Sequence, residues 1–487
     1  MTFKKHTETD QLQKREFLRI IVIIAAVYLL LVVSFFFLAG DQLRYRVSRG
    51  EIAPPAAESA TGEIVAGMTV EQEFSAKIDR MRSIAVQWGT YYRTNHATAL
   101  LELFNQRDSR LLASQQFDLS ALDDGAVTEL RFSPALEGMN GIPMLLRVTT
   151  DASAGNAPAL LLSASAAMPG SRLTVNGKLM NGALCLSATG EDHIWTGLHY
   201  WKFSAAVGLL LAAFLLWSYY RAAAGKIPLL LKVILAVRRY DFLIRQLVNR
   251  DFKTKYKRSI LGIFWSFLNP LLTMIVQYIV FSSLFRFDVP YYPVYLLCGI
   301  VLFNYFSEAC SLTLTSIVGN ASLITKVYVP KYIYPLTRVF SSLINLLISM
   351  IPLLLVSLFS GIVPTKAYLL AIFPLACLAV FCLGMGMLLC TMMVFFRDTQ
   401  FLWNVLSMIW MYLTPIFYPA SILPDDLAWV LQINPLYHFI DFLRTCIISG
   451  ISPEPRAYAV CAFCAVFMFA VGAFVFKKSQ DKFVLYL

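Results

Sequence analysis

The chain has 487 residues, of which 58% are hydrophobic and only 15% charged, and its mean hydropathy is +0.63. No single aqueous core hides that much apolar surface, so a soluble enzyme is excluded and a membrane supplies the missing solvent. The formal net charge of +11 does not point to nucleic acid, because the basic residues cluster beside apolar runs and form no stripe on a polar domain.

In chain order, residues 1–40 read as a tail and first membrane anchor. Ile20 to Ala39 is uncharged and long enough to cross the hydrocarbon at about 1.5 Å per residue. Lys4, Lys5, Lys14, Arg15 and Arg19 precede it and place the N-terminus in the cytoplasm. A cleavable signal peptide, cut near Leu38-Ala39-Gly40, is the competing reading, and the run is long for one. Residues 41–67 read as a linker, rich in Ala, Pro, Glu and Gly from Glu51 to Gly67. Residues 68–192 read as a β-sandwich, a jelly roll among the topologies that fit. Leu130 and Phe132, then Leu146 and Val148, alternate with polar neighbours. Asn176-Gly177 between Val175 and Leu179 signals a hairpin, since both turn residues tolerate positive φ.

Residues 193–221 form a second anchor. Phe203 to Tyr220 is uncharged, with Trp195, Tyr200 and Trp201 at one end and Trp217, Tyr219 and Tyr220 at the other, as at two membrane interfaces. The β domain is therefore expected outside the cytoplasm. Residues 222–259 are strongly basic. Leu230, Val233, Ile234, Val237, Tyr240, Ile244, Leu247 and Val248 recur at helical spacing, so an amphipathic helix lying in the membrane interface is expected. Residues 260–476 hold six further spans, near Ile260–Phe285, Val294–Thr313, Tyr332–Ser360, Tyr368–Phe396, Phe401–Tyr418 and Ala457–Phe476. Residues 421–456 lie between the last two, and residues 477–487 form a second cytoplasmic tail. The expected fold is a polytopic α-helical membrane protein of about eight spans with an inserted extracytoplasmic β-sandwich.

Chemistry-bearing patterns are few. No G-x-x-x-x-G-K-[ST] loop occurs, so the chain has no site of its own for ATP hydrolysis. His6, His96, His193, His199 and His438 show no metal spacing, and no nucleophile setting is recognisable, so neither metal nor catalysis is expected. Cys461 and Cys464 have C-x-x-C spacing inside an apolar run without nearby His, where two small apolar residues are the simpler reading. Glu308 stands in an otherwise uncharged span, where an ionised carboxylate costs ~2.5–3.5 kcal/mol at a central position. It is expected to face protein or water, with a structural hydrogen bond as the alternative to a transport role. Asp441 and Arg444 are spaced to pair on one helix face.

The stretch Arg250-Asp251-Phe252-Lys253-Thr254-Lys255-Tyr256-Lys257-Arg258, followed by Gly262, Trp265 and Asn269-Pro270, is a basic elbow entering a span. It resembles the entry segment of type-2 ABC export permeases for O-antigen and teichoic-acid polymers. Leu323 to Lys331, Phe396-Arg397-Asp398, Thr414-Pro415-Ile416-Phe417-Tyr418-Pro419 and Asn434-Pro435-Leu436-Tyr437 follow in that family's order, from about Leu229 onward. The resemblance leaves the first anchor and β domain unexplained.

What the resemblance implies is a permease in the bacterial cytoplasmic membrane, present as two copies with two ABC ATPase subunits that bind ATP and Mg. Its cargo would be a lipid-linked polysaccharide. The expected coupling residues are Arg245, Arg250, Asp251 and Tyr256 with Leu323, Lys326, Val327, Tyr328, Pro330 and Lys331. The alternative is an ordinary basic loop beside phospholipid. Re-entrant helices are implied near residues 421–456. Tyr278, Tyr305, Trp410 and Tyr412 are candidates for the substrate path, because sugar faces pack on aromatic rings, and Glu308 is a further candidate as a lone carboxylate in an apolar span. Lys253, Lys255, Lys257 and Arg258 are candidates for the lipid pyrophosphate, although positive-inside topology alone accounts for them. Trp88, Tyr91 and Tyr92 are candidates for glycan contact in the β domain, with sandwich core as the alternative. Competing functions are export of a drug or small lipid, a membrane sensor that does not transport, and a membrane glycosyltransferase.

Overall fold

The computed structural model describes all residues except 1, 52–58, 164–170, 225–228, 258, 286–288, 327, 328, 423, 425, 427 and 487. The chain divides into two compact units, Arg44–His199 and the remainder.

The first unit contains β1 (Tyr45–Glu51), β2 (Ser59–Ala60), β3 (Thr69–Ser75), β4 (Arg80–Gly89), β5 (Thr98–Asn105), β6 (Arg110–Asp118), β7 (Val127–Glu137), β8 (Pro143–Thr150), β9 (Ala159–Ser163), β10 (Arg172–Val175), β11 (Lys178–Met180), β12 (Ala183–Leu184) and β13 (Leu186–His193). One antiparallel sheet runs β1-β13-β4-β9-β12, with β2 on β9 and β7 on β4; the other runs β11-β10-β3-β8-β5-β6. The alternation read from sequence is the cause of their packing. Every second residue of β3 and β8 is buried, and Val70, Leu146 and Val148 of one sheet share a core with Ile84, Val86 and Leu186 of the other. The Asn176-Gly177 turn closes β10 onto β11 with both residues at positive φ. Buried Gln72 is satisfied across the domain: its Nε2 donates to the Glu73 and Arg172 carbonyls, and its Oε1 accepts from Leu184 N.

One boundary needs correction. The stretch expected as a linker over residues 41–67 contains β1, which pairs with β13 from Tyr45↔His193 to Glu51↔Ser187. Its sequence, Tyr-Arg-Val-Ser-Arg-Gly-Glu, carries little apolar alternation, because backbone pairing at a sheet edge needs none.

In the second unit the helices are α1 (Thr2–Ala39), α2 (Trp195–Ala223), α3 (Leu229–Tyr256), α4 (Phe264–Phe285), α5 (Tyr292–Leu314), α6 (Ala321–Ile324), α7 (Ile333–Phe359), α8 (Ile372–Phe395), α9 (Thr399–Leu413), α10 (Ala428–Ile433), α11 (Pro435–Ile447), α12 (Pro455–Ser479) and α13 (Phe483–Tyr486). Among the described residues, seven helices are long and apolar enough to cross a membrane. The expected eighth, α9, has 15 residues and extends about 22 Å, short of a hydrocarbon core of about 30 Å. Thr414-Pro415 stops it: Thr414 adopts extended backbone before the proline.

α5 is the buried centre, packed by α4, α7, α8, α9 and α11. Glycines set the closest approaches. A Cβ on Gly472 of α12 would lie 1.9 Å from the Gly384 carbonyl oxygen of α8, and one on Gly386 of α8 would lie 2.5 Å from Thr313 of α5. Without aqueous hydrophobic drive between spans, such contacts are what hold helices together. The two anchors pair with each other: Tyr28 donates to the Ser204 carbonyl at 2.6 Å and Tyr200 to the Val32 carbonyl at 2.7 Å. Phe35 of α1 also meets Tyr458 of α12 edge-on at 5.0 Å.

Candidate functional site

The apolar stripe of α3 dictates where that helix docks. Leu247 is buried with Ile317, Tyr334, Cys390, Phe476 and Phe483, and Tyr240, Leu243 and Ile244 pack against the same cluster. The sequence reading put this face against lipid. Over Tyr240–Leu247 it lies on protein, because α7, α8, α12 and α13 present a matching apolar surface. The opposite face stays in solvent, where exposed Arg245 pairs with Asp241 at 3.0 Å.

Past that stripe the end of α3 becomes polar and enters a network. Asp251, nearly buried, is 3.2 Å from Arg250 and 3.0 Å from Arg338 of α7. Arg250 donates to Asn320 Oδ1 at 3.4 Å. Lys255 Nζ donates to Glu308 Oε1 of α5 at 2.7 Å, and Asn345 Nδ2 of α7 donates to the same oxygen at 2.7 Å. Tyr256 hydrogen-bonds Ser266 of α4 and donates to Asn345 Oδ1 at 3.0 Å. The last two turns of α3 thus hold α4, α5, α7 and the α5–α6 connection together, around a cavity of about 670 Å³.

Glu308 therefore has a physical account. Its carboxylate sits toward the C-terminal end of α5 with the Lys255 cation and the Asn345 amide as partners, which offsets its desolvation. Its partner lies 53 positions earlier in the chain, beyond any local spacing rule.

The connection after α5 projects from this network. Gly319 to Ile324 folds as a short turn and α6; Leu323 packs into the α3 cluster, while Thr325 and Lys326 are exposed. Pro330 accepts from Ile333 N, and Lys331 Nζ donates to the Gln480 carbonyl at 2.5 Å. Val327, Tyr328 and Arg258 lie outside the described residues.

The substrate-path candidates do not share a surface. Tyr305 is buried in the helix core, Tyr278 and Tyr412 are exposed, and Glu308 belongs to the network. Trp410 packs on Phe306 at 5.1 Å and lines an apolar groove of about 810 Å³ with Trp403, Met392 and Trp429. Lys253 and Lys257 are exposed, whereas Lys255 is already engaged by Glu308. Trp88 is fully buried and donates to Thr128 Oγ1 at 2.7 Å, so it is sandwich core and meets no glycan. Tyr91 and Tyr92 are exposed at the end of β4.

Arg444 was expected to pair with Asp441. It is buried, and its guanidinium donates to the carbonyl oxygens of Tyr295, Pro415 and Ile416 at 2.8–3.3 Å. Gly299 leaves room for it: a Cβ there would lie 3.2 Å from an Arg444 nitrogen. Tyr292 and Tyr295 donate to the Phe417 and Tyr418 carbonyls at 2.6 and 2.9 Å. The bent Thr414–Tyr418 segment has no helical ladder, so these side chains satisfy carbonyls within it. Asn434 caps α11 and joins it to the end of α9, accepting from Leu436 N and Trp410 Nε1 and donating to Thr414 Oγ1. Among these residues, sequence reading paired Arg444 with the wrong group and missed Asn345, Tyr292 and Tyr295; only the Thr-Pro and Asn-Pro punctuation signalled the segment.

The ABC-2 type transporter family model matches residues 243–448, which span α3 to α11. The chain is also 30% identical to the O-antigen export system permease protein RfbA of Klebsiella pneumoniae over 247 residues, 50% of this chain and 94% of that protein. The chain belongs to the ABC-2 type transporter family. A second relative of this ABC-2 permease, RfbA of Myxococcus xanthus, is 26% identical over 258 residues and covered to 98%. The capsule polysaccharide export inner-membrane protein CtrC of Neisseria meningitidis is 23% identical over 206 residues, 41% of this chain and 77% of CtrC. The matched family region contains the α3 network, α6 and the Arg444 lock; α1, the β domain and α2 lie outside it.

Proposed function

We propose that this ABC-2 permease is the membrane-spanning subunit of an exporter that moves a lipid-linked polysaccharide, such as an O-antigen or a teichoic acid, out of the cytoplasm. The similarity to an O-antigen export permease across 94% of that relative's length carries the reading. Two copies of the chain assemble with two ATPase subunits, which bind ATP and Mg. Both termini and the basic end of the bundle face the cytoplasm, and the β domain lies on the far side, where it binds the glycan. The basic flanks of the spans support this orientation.

In this reading the exposed surface of α6 with Lys326, and the exposed face of α3 with Arg245, receive the ATPase. Displacement of either passes into α4, α5 and α7 through Asp251–Arg338, Lys255–Glu308 and Tyr256–Asn345, because ion pairs and hydrogen bonds in a partly buried site resist separation. Lys253 and Lys257, exposed beside the network, attract the pyrophosphate of the lipid carrier. Trp410 and the groove along α9 offer ring faces to the sugar chain or to a second copy.

Deleting the gene and locating the surface polymer tests this function. Lipid-attached glycan accumulating inside the cell is the expected result, and an unchanged surface polymer contradicts it.

A further inference from the structure

The β domain carries a built cleft that the family region does not account for. β4 and β7 pair from Gln87↔Val127 to Ser83↔Arg131, then resume only at Met81↔Leu136. Between those points a single residue of β4, Arg82, stands opposite four of β7: Phe132, Ser133, Pro134 and Ala135. On its other side β4 meets β13, whose register also shifts, between Thr189 and Gly190. Two irregularities flanking one residue of a central strand bend the sheet away from flatness, and bulges of this kind re-aim side chains at binding sites. The result is a cleft of about 510 Å³ bounded by the β7 excursion, Arg80, Arg82, Arg131 and Thr189, within the size range of small-molecule sites.

Its polar groups are held in fixed orientations. Ser83, buried at the base, lies 2.5 Å from both Glu129 Oε1 and Thr189 Oγ1. Glu191, also buried, holds Arg82 at 2.6 Å and Arg80 at 3.3 Å. Glu129 holds Arg131 at 2.8 Å. The side chains of Arg82 and Arg131 nevertheless remain 56% and 79% exposed, so each presents further N–H groups to the cleft. Arg80 Nε is buried, with no hydrogen-bond acceptor among the described residues and with Glu137 Oε1 as an ion-pair partner at 3.7 Å.

Guanidinium forks alternate here with carboxylate and hydroxyl oxygens, and Phe132 and Pro134 supply apolar edges. A phosphate or sulfate is poorly served, because Glu129 and Glu191 would repel it. A vicinal diol fits, since neighbouring hydroxyls both donate and accept, and the C–H face of a sugar ring packs on Phe132 or Pro134. We propose that this cleft binds a short saccharide segment of the exported polymer, with Arg82 and Arg131 as its principal donors. The inference rests on the polysaccharide-export reading and moves the glycan site of the β domain from Trp88, Tyr91 and Tyr92 to the β4–β7–β13 face.

The test uses the full permease in lipid nanodiscs and oligosaccharide fragments cut from the host cell's own surface polymer. Saturable binding by the wild type is expected, weakened at least tenfold in the double variant Arg82→Gln, Arg131→Gln, and unchanged in Tyr92→Ala. Ser133→Trp, which fills the cleft without touching an ion pair, gives the same loss. No binding at millimolar fragment, or binding that both the double variant and Ser133→Trp retain, overturns the proposal. Surface polymer is quantified in the same strains. A permease that exports normally but never binds the fragments refutes the cleft and leaves the export reading standing, whereas unchanged surface polymer in the deletion strain removes the export reading itself.

Discussion

Replacing Lys255 with Met removes the cation from Glu308 and leaves that carboxylate with Asn345 alone. The two charged groups lie 2.7 Å apart, with side chains 41% and 28% exposed. Fully exposed pairs couple by ~0.2–1 kcal/mol, whereas breaking a buried pair costs ~3–5 kcal/mol. Part-burial places this pair between those limits, so a coupling of about 1–2 kcal/mol is expected, or roughly a 5- to 30-fold effect. The assay is a double-mutant cycle on surface polymer delivered per ATP hydrolysed by the assembled complex. Lys255→Met and Glu308→Gln each lower that ratio while hydrolysis persists, and the exchange Lys255→Glu with Glu308→Lys recovers most of it. Additive losses with no recovery in the exchanged variant, or single variants that export normally, refute the idea that this contact transmits force.

Arg444→Met leaves the Ile416 carbonyl unpaired and the Pro415 carbonyl with only the 3.4 Å bond from the Tyr295 hydroxyl, at ~1–3 kcal/mol for a buried acceptor left unpaired. Thermal aggregation of the detergent-solubilised chain shifts down by many degrees, and Arg444→Lys, which cannot span three acceptors, recovers little. Gly472→Leu forces α12 off α8, since even a Cβ would meet the Gly384 oxygen at 1.9 Å; overpacking of ~1–3 kcal/mol or more lowers the yield of folded permease by gel filtration. In the β domain, the Ser83 hydroxyl and then Arg131 hold the Glu129 carboxyl below its ordinary value of 4.5. A group lowered on folding stabilises most fully above that value and loses its contribution as pH falls through the folded value. The urea midpoint of the domain therefore drops below about pH 4.5 less steeply in Glu129→Gln than in the wild type, and identical pH profiles contradict this.

Much of the architecture is legible in sequence because its cause is local. Uncharged runs mark the long helices, alternation marks β3 and β8, and Asn176-Gly177 marks the β10–β11 turn. The landmarks from Arg250 to Tyr437 are legible as a pattern, and the structure supplies the reason for some of them. Thr414-Pro415 begins a bent, non-helical segment, and Asn434 is the cap that ties α11 to α9. What stays hidden depends on distant partners. β1 is an edge strand whose polar sequence needs no core signal, and Trp88 stays open between glycan contact and sandwich core until both sheets close over it. The apolar face of α3 looks the same whether lipid or protein covers it. Glu308 in an apolar span stays open between a structural hydrogen bond and a transport role until Lys255 and Asn345 are brought beside it. Arg444 reads as half of a helical ion pair, although its acceptors are backbone oxygens that carry no sequence identity at all.

Reconstitution in proteoliposomes tests the central claim most directly, with the purified permease, its ATPase and a lipid-linked glycan added to one face. The account predicts glycan on the opposite face only when both proteins and hydrolysable ATP are present, and a loss of transfer when Lys326 and the exposed face of α6 are replaced. Equal transfer by the permease without the ATPase, or none by the complete system with ATP, contradicts it.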